Sequence, residues 1–169
     1  MINASGMPGD GLKLTPPPLP AVREAIRERR LAMGFAAVGI AVFVVAAILN
    51  PYNEHGAPLR FGTHRQLGLP ACGLASLTGV GCPSCGMTTT FSLLAHGDLR
   101  AAWRTNWAGV VVAGLLGVGT VWFLLVAAGL PPGRCTADEV VKVMTMLGMA
   151  AATVRWLGLL GCAGWAVRS

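Results

Sequence analysis

The chain has 169 residues, of which 54% are hydrophobic and only 12% charged, and its mean hydropathy is +0.62. A soluble domain carries about twice that charge, so this chain cannot cover a water-facing surface and the bilayer is the solvent for much of it. The net charge of +6 does not indicate nucleic acid, because the basic residues form no stripe interleaved with aromatics. Basic charge beside apolar segments reports orientation in a membrane and contact with anionic headgroups.

Residues 1–20 hold Gly, Asp, Lys and the run Pro16-Pro17-Pro18-Leu19-Pro20, which reads as a disordered or polyproline-II tail ahead of a membrane domain over 21–169. Ala21 to Arg30 reads as a short charged helix running directly into Leu31–Leu49. Those nineteen uncharged residues are closed by Asn50-Pro51. At about 1.5 Å per residue they cross roughly 28 Å, a hydrocarbon core. This is the first expected span, 31–49.

Ala71 to Ala95 also lacks charge, yet Gly73, Gly79, Gly81, Pro83 and Gly86 punctuate it and Thr88, Thr89, Thr90 and Ser92 make it polar. Irregular backbone is tolerated at membrane depth only against protein or water. A pair of short helices joined by a turn, lying at the membrane surface or re-entrant, fits better than a span. The cysteine module covers 66–106. Pro83 suits a first helical position, with Cys82 as N-cap. The helix then runs to His96, with Gly97 as its stop. On it Cys85, Thr89, Ser92 and His96 would form one polar stripe, opposite Met87, Phe91 and Leu94.

Asp98 caps a further short helix, Leu99–Thr105, where Arg100 and Arg104 are available to phosphates or headgroups and Trp103 sits at the interface. Residues 107–130 are the second span. Gly109, Ala113 and Gly117 recur every fourth residue along it, a small-residue face for close helix packing. Residues 143–167 are the third span, with Arg155 near the middle of the run from Val140. Arg155 is expected to face protein or snorkel to an interface. Gly158, Cys162 and Ala166 give a second small face.

With the N-terminus inside, Lys and Arg divide seven against five in favour of the inner side, the cluster Arg23, Arg27, Arg29 and Arg30 counting most. This predicts a multi-pass protein of the bacterial inner (plasma) membrane with a cytoplasmic N-terminus. The cysteines then face the outer, oxidising side.

Cys72, Leu77-Thr78-Gly79, Cys82-Pro83-Ser84-Cys85-Gly86, Gly97-Asp98, Ala102 and Asn106 resemble the DUF2752 family, small bacterial membrane proteins of unassigned function. Thr88 matches the same pattern, Cys-Pro-x-Cys-Gly-Leu-Thr-Arg followed by Gly-Asp and Asn-Pro. Two departures from it matter: Thr89 stands where the arginine is expected, and Trp107 where the proline is. The resemblance implies a membrane protein with a cysteine module and supplies no activity.

The fold expected is therefore all-α, with three transmembrane helices and a short-helix cysteine module between the first two. The leading functional reading is non-enzymatic: a small membrane subunit or scaffold packing against partner membrane proteins, with Cys72, Cys82 and Cys85 in a structural or disulfide role. The runner-up is a membrane thiol–disulfide oxidoreductase using Cys82 and Cys85, since an N-cap cysteine favours the thiolate. No thioredoxin-like βαβ pattern and no evident quinone or flavin site accompany that pair. A third reading is a thiolate metal site. No cofactor is predicted outright, and zinc is the metal that three thiols would suit, with His55 or His64 free to add a ligand. His96, some 16 Å along the helix from Cys85, is not.

Overall fold

A computed structural model describes residues 19–78, 81–130 and 135–166 of the chain. Residues 1–18 of the Pro-rich tail, Gly79 and Arg134 lie outside the described residues, as do the side chains of Thr78, Cys162 and Ala166. Leu19 and Pro20, expected in the tail, already belong to the first helix. Five α-helices run in the order α1 (Leu19–Ile48), α2 (Gly73–Thr78), α3 (Met87–Ala95), α4 (Leu99–Ala127) and α5 (Ala137–Ala166), with a 3-10 turn at Thr63–Leu67. Among the described residues there is no strand, only an isolated bridge between Tyr52 and Pro58. The fold is all-α as the sequence predicts. α1, α4 and α5 are long and apolar enough to cross a membrane, and the cysteine module lies between the first two.

The charged stretch and the first apolar run form one continuous helix, about 45 Å long at 1.5 Å per residue. Its charged end has a use. Arg29 Nε donates to the carbonyl of Ala127 at 2.7 Å, closing the C-terminus of α4, and Glu28 Oε2 accepts from the N–H of Ala137 at 3.2 Å, the first residue of α5. Both contacts place charge where the helix dipole favours it. Above them Ala32, Ala36, Phe123 and Ala137 are buried together, and Phe35 stacks on Phe123 with centroids 5.1 Å apart.

α4 is the central helix, packed against α1, α3 and α5. Without a hydrophobic drive between helices in lipid, close approach through small residues holds such a bundle. Gly39 of α1 meets Thr120 so closely that a Cβ there would collide with the Thr120 hydroxyl. The face of Gly109, Ala113 and Gly117 is filled from within the chain: Thr90 and Met87 of α3 sit against Gly109, and Phe43 of α1 approaches Gly117. Ala113 is buried with Ala46 and Phe91. α5 runs antiparallel to α4, for Met144 meets Gly119, Val112 meets Gly148, and Arg155 reaches Thr105.

α3 lies lengthwise beside the long helices. Its first residue, Met87, touches Gly109 of α4, ten residues in from Leu99 or about 15 Å along the axis. Its far end meets the end of α1, where Ser92 Oγ donates to the Leu49 carbonyl at 2.6 Å.

Candidate functional site

The Cys-Pro-Ser-Cys segment is a turn, not the first turn of a helix. The N–H of Cys85 donates to the Cys82 carbonyl at 3.0 Å and that of Met87 to the Ser84 carbonyl at 3.0 Å, and α3 begins only at Met87. The expected N-cap at Cys82 and first helical position at Pro83 are corrected: the N-cap is Gly86, with φ of +82°. Glycine is needed there twice over. Positive φ is costly for residues with a Cβ, and a Cβ would also sit 3.0 Å from the Arg60 carbonyl and 3.3 Å from Thr105 Cγ2.

The expected polar stripe also changes. Cys85 precedes α3, and α3 is buried nearly all round, with Thr89, Thr90, Phe91, Ser92 and Leu93 all inaccessible. Ser92 Oγ and Thr89 Oγ1 are taken up by neighbours, while Thr90 Oγ1 is buried without a hydrogen-bond partner among the described residues. Thr63 Oγ1 donates to Thr89 Oγ1 at 2.9 Å, and Thr89 is only 1% exposed. The threonine at the position where the family pattern has arginine is thus a packed, paired residue. Thr88 is half-buried beside α1.

Gly97 and Asp98 make the hinge between α3 and α4. Gly97 takes φ of +81° past the end of α3, and the Asp98 side chain accepts from the Ala101 N–H at 2.9 Å, capping α4 as predicted. Leu77, by contrast, is 88% exposed on the outside of α2.

Asn106 organises the site. It is 1% exposed and breaks α4 with φ −158° and ψ 93°, between the two helical stretches the sequence separates. Its Oδ1 accepts from the Gly109 N–H at 3.0 Å, recapping the helix, while its Nδ2 donates to the Cys85 carbonyl at 3.1 Å. Trp107 therefore occupies the first position after an N-cap. Proline is preferred there but not required, because that N–H has no intrahelical partner anyway. In a continuous helix the Gly109 N–H would bond the Thr105 carbonyl. Here that carbonyl is released, and Arg155 Nη2 of α5 donates to it at 3.3 Å. Arg155 faces protein, as its cost in lipid demands. Its second terminal nitrogen, Nη1, is buried with no hydrogen-bond partner, and its electrostatic neighbours are Cys85 and Cys82.

The sulfurs of Cys72, Cys82 and Cys85 lie within 4.8 Å of one another, close enough to hold a metal. All three are free thiols, so the expected disulfide is not formed: Cys82 Sγ donates to Cys85 Sγ at 3.4 Å, against about 2.05 Å for a bonded pair. Zinc–sulfur bonds of about 2.3 Å in a tetrahedron place sulfurs about 3.8 Å apart, so the spread suits a metal. Cys72 stands immediately before α2, and the Ala75 N–H, then the Cys85 and Cys82 thiols, bring its pKa down to about 6. The cysteine at a helix start is Cys72, not Cys82. Burial, followed by the Cys72 and Cys82 sulfurs, pushes Cys85 up to about 12. Metal-free, the thiolate is thus favoured at Cys72 and disfavoured at Cys85. Among the described residues no histidine joins it: His64 Nε2 contacts the Pro70 carbonyl at 3.1 Å and His96 Nδ1 that of Ser92 at 2.8 Å. Cys135 is exposed at the start of α5, away from the cluster.

Between α1, α4 and α5 lies an apolar cavity of about 580 Å³ that ends on Pro83, Ser84 and Met87. The hydroxyls of Thr120, Thr145 and Thr153 in its walls all donate back to their own helices. Ser84 Oγ, at its end, is 3.3 Å from Cys82 Sγ.

Fold and site together define a multi-pass membrane protein with a thiol cluster built between two spans. Residues 72–120 match the family model DUF2752, described as a protein of unknown function, which supports the family resemblance over the segment that carries the cluster and Asn106. No curated protein and no solved structure matches the chain.

Proposed function

We propose that the protein is a non-enzymatic membrane protein whose Cys72, Cys82 and Cys85 bind a thiolate-seeking cation, zinc being the candidate. The observation that carries this is the convergence of Cys72, from a separate segment, on the Cys82–Cys85 turn. Three sulfurs exceed what a disulfide needs. Arg155 is compatible with this reading, since three thiolates around a divalent ion carry one net negative charge near the buried Nη1. Adjacent thiols lose their protons together only when a cation holds them. The fourth position of a tetrahedral ion stays open to water or to a ligand from a partner.

The arginines at the start of α1 argue for a cytoplasmic N-terminus in a bacterial inner membrane, which turns the cysteine end outward. The role as a subunit beside other membrane proteins keeps the Gly158 face of α5, where an added Cβ would meet nothing within 4 Å.

A second reading, thiol–disulfide exchange at Cys82 and Cys85, is favoured by the apolar cavity ending one hydrogen bond from Cys82. Such a cavity suits a lipid-soluble quinone as oxidant. The dithiol would give it two electrons and two protons, leaving a disulfide and a quinol.

The deciding experiment is elemental analysis of protein purified in mild detergent without added metal, alongside Cys72→Ser, Cys82→Ser and Cys85→Ser. One zinc per chain, lost in each variant, is the expected result. A metal-free chain with a Cys82–Cys85 disulfide that a quinone regenerates after reduction would replace the first reading with the second.

A further inference from the structure

A second cleft, of about 360 Å³, opens beside the start of α4 and is lined by Arg60, Arg100 and Arg104 together with Pro58, Asp98 and Thr105. Three cations converge there from two segments of chain. Arg100 and Arg104 stand one helical turn apart, a spacing at which like charges repel. Among the described residues none of the three has an ion-pair or hydrogen-bond partner, for the ion pair found is Lys142 with Asp138 at the other end of the bundle. The single acid in the cleft, Asp98, already accepts the Ala101 N–H as the cap of α4. The cleft thus holds an excess of positive charge that nothing among the described residues offsets.

Its height in the bundle says what would offset it. The uncharged run of α4 starts at Trp107, just beyond Arg104, and the exposed side chain of Trp103 lies between Arg100 and Arg104 in the sequence. Tryptophan and arginine at the end of an apolar run mark the headgroup layer. Guanidinium forks match phosphate oxygens in geometry as well as charge. We infer that Arg60, Arg100 and Arg104 form a binding site for the phosphate of an anionic phospholipid, whose acyl chains descend along the exposed apolar side of α4. The site is separate from the cysteine cluster and does not depend on a metal there.

The test is native mass spectrometry of the full chain released from nanodiscs of phosphatidylcholine containing phosphatidylglycerol. Wild type is expected to retain phosphatidylglycerol above its share of the bilayer. Retention should weaken by roughly fivefold for each arginine removed and about a hundredfold in the R60Q/R100Q/R104Q triple variant. R23Q/R27Q, at the other end of α1, should retain it like wild type. The single variants R100Q and R104Q keep the test valid should the triple variant fail to fold. Equal retention in wild type and the arginine variants would overturn the site. So would saturation of the cleft by inorganic phosphate in pure phosphatidylcholine nanodiscs with no enrichment of phosphatidylglycerol, since the ligand would then be free phosphate.

Discussion

The two ends of the helix bundle are held together by opposite means. At the end of Glu28 and Arg29 the core is Ala32, Ala36, Phe123 and Ala137, and the two charged side chains serve helix ends. At the cysteine end the polar side chains of Thr63, Thr89, Thr90, Ser92 and Asn106 are buried alongside Leu49, Phe91, Leu93, Ala102 and Ala108. The difference follows from backbone. Regular helices satisfy their own amides, so the first end needs only apolar packing and caps. The second carries a turn, a short helix and a broken α4, whose freed amides and carbonyls must find side chains because an apolar surrounding offers none.

The largest effect expected from this contrast is chemical. In reduced, metal-free protein, alkylation follows the thiolate, so each cysteine's rate rises with pH through its own pKa. Cys72, with a pKa of about 6, should be near its plateau at pH 7.5 and slow as pH falls through 6. Cys85, at about 12, should stay protonated across the accessible range. The thiolate populations at pH 7.5 then differ by about thirty-thousandfold, which mass spectrometry of pulse-labelled peptides would read. Saturating zinc should protect all three cysteines, while exposed Cys135 stays reactive. Equal rates for Cys72 and Cys85 would break the assignment of the thiolate to Cys72.

Next in size is Asn106→Leu. It removes the donor to the Cys85 carbonyl and the acceptor of the Gly109 N–H, leaving two buried backbone groups unpaired. At about 1–3 kcal/mol each, a loss of about 3 kcal/mol is expected in detergent unfolding, together with loss of bound zinc. Asn106→Asp keeps the recapping oxygen and should cost roughly half as much. A variant that unfolds like wild type would show that α4 straightens without its asparagine.

These two residues also show where sequence reading succeeds and where it stops. The long apolar runs, the stop at Gly97, the cap at Asp98 and the separation of α4 at Asn106 were legible because each is set by local chain chemistry. Arg155 was legible as a residue that must face protein, since lipid penalises it. Its partner was not, because the free carbonyl of Thr105 exists only once Asn106 has taken the Gly109 N–H. An N-cap at Cys82 fails for a similar reason: proline suits a tight turn as well as a helix start, and only the close approach of Arg60 and Thr105 selects Gly86. The small face at Gly109 was visible, but not that α3 from the same chain fills it. Gly39 could have been noticed as the one glycine in the middle of the first apolar run, although nothing local names Thr120 as its neighbour.

Gly39 sharpens the comparison because it sits between the ends. Gly39→Leu drives a side chain into Thr120 and should cost about 2 kcal/mol as α1 is pushed from α4. Gly34→Leu, where nothing lies within 4 Å of an added Cβ, should be close to neutral. Thermal unfolding in detergent checks both. A neutral Gly39→Leu would mean that the central contact gives way without loss and that the two ends alone hold α1.

The smallest effect belongs to the charged end. Glu28→Ala removes the acceptor of the Ala137 N–H and a favourable charge at the start of α5, and should lower stability by about 1 kcal/mol with zinc content unchanged. Its value lies in combination with Asn106→Leu. Asn106 and the C-terminus of α4 are separated by 21 residues, about 31 Å of helix, and share no partner, so the two losses should add to within about 0.5 kcal/mol. If the double variant lost clearly more or less than the sum, α4 would be transmitting strain from its break to its far end, and the two ends would be one cooperative unit rather than two separately satisfied ones.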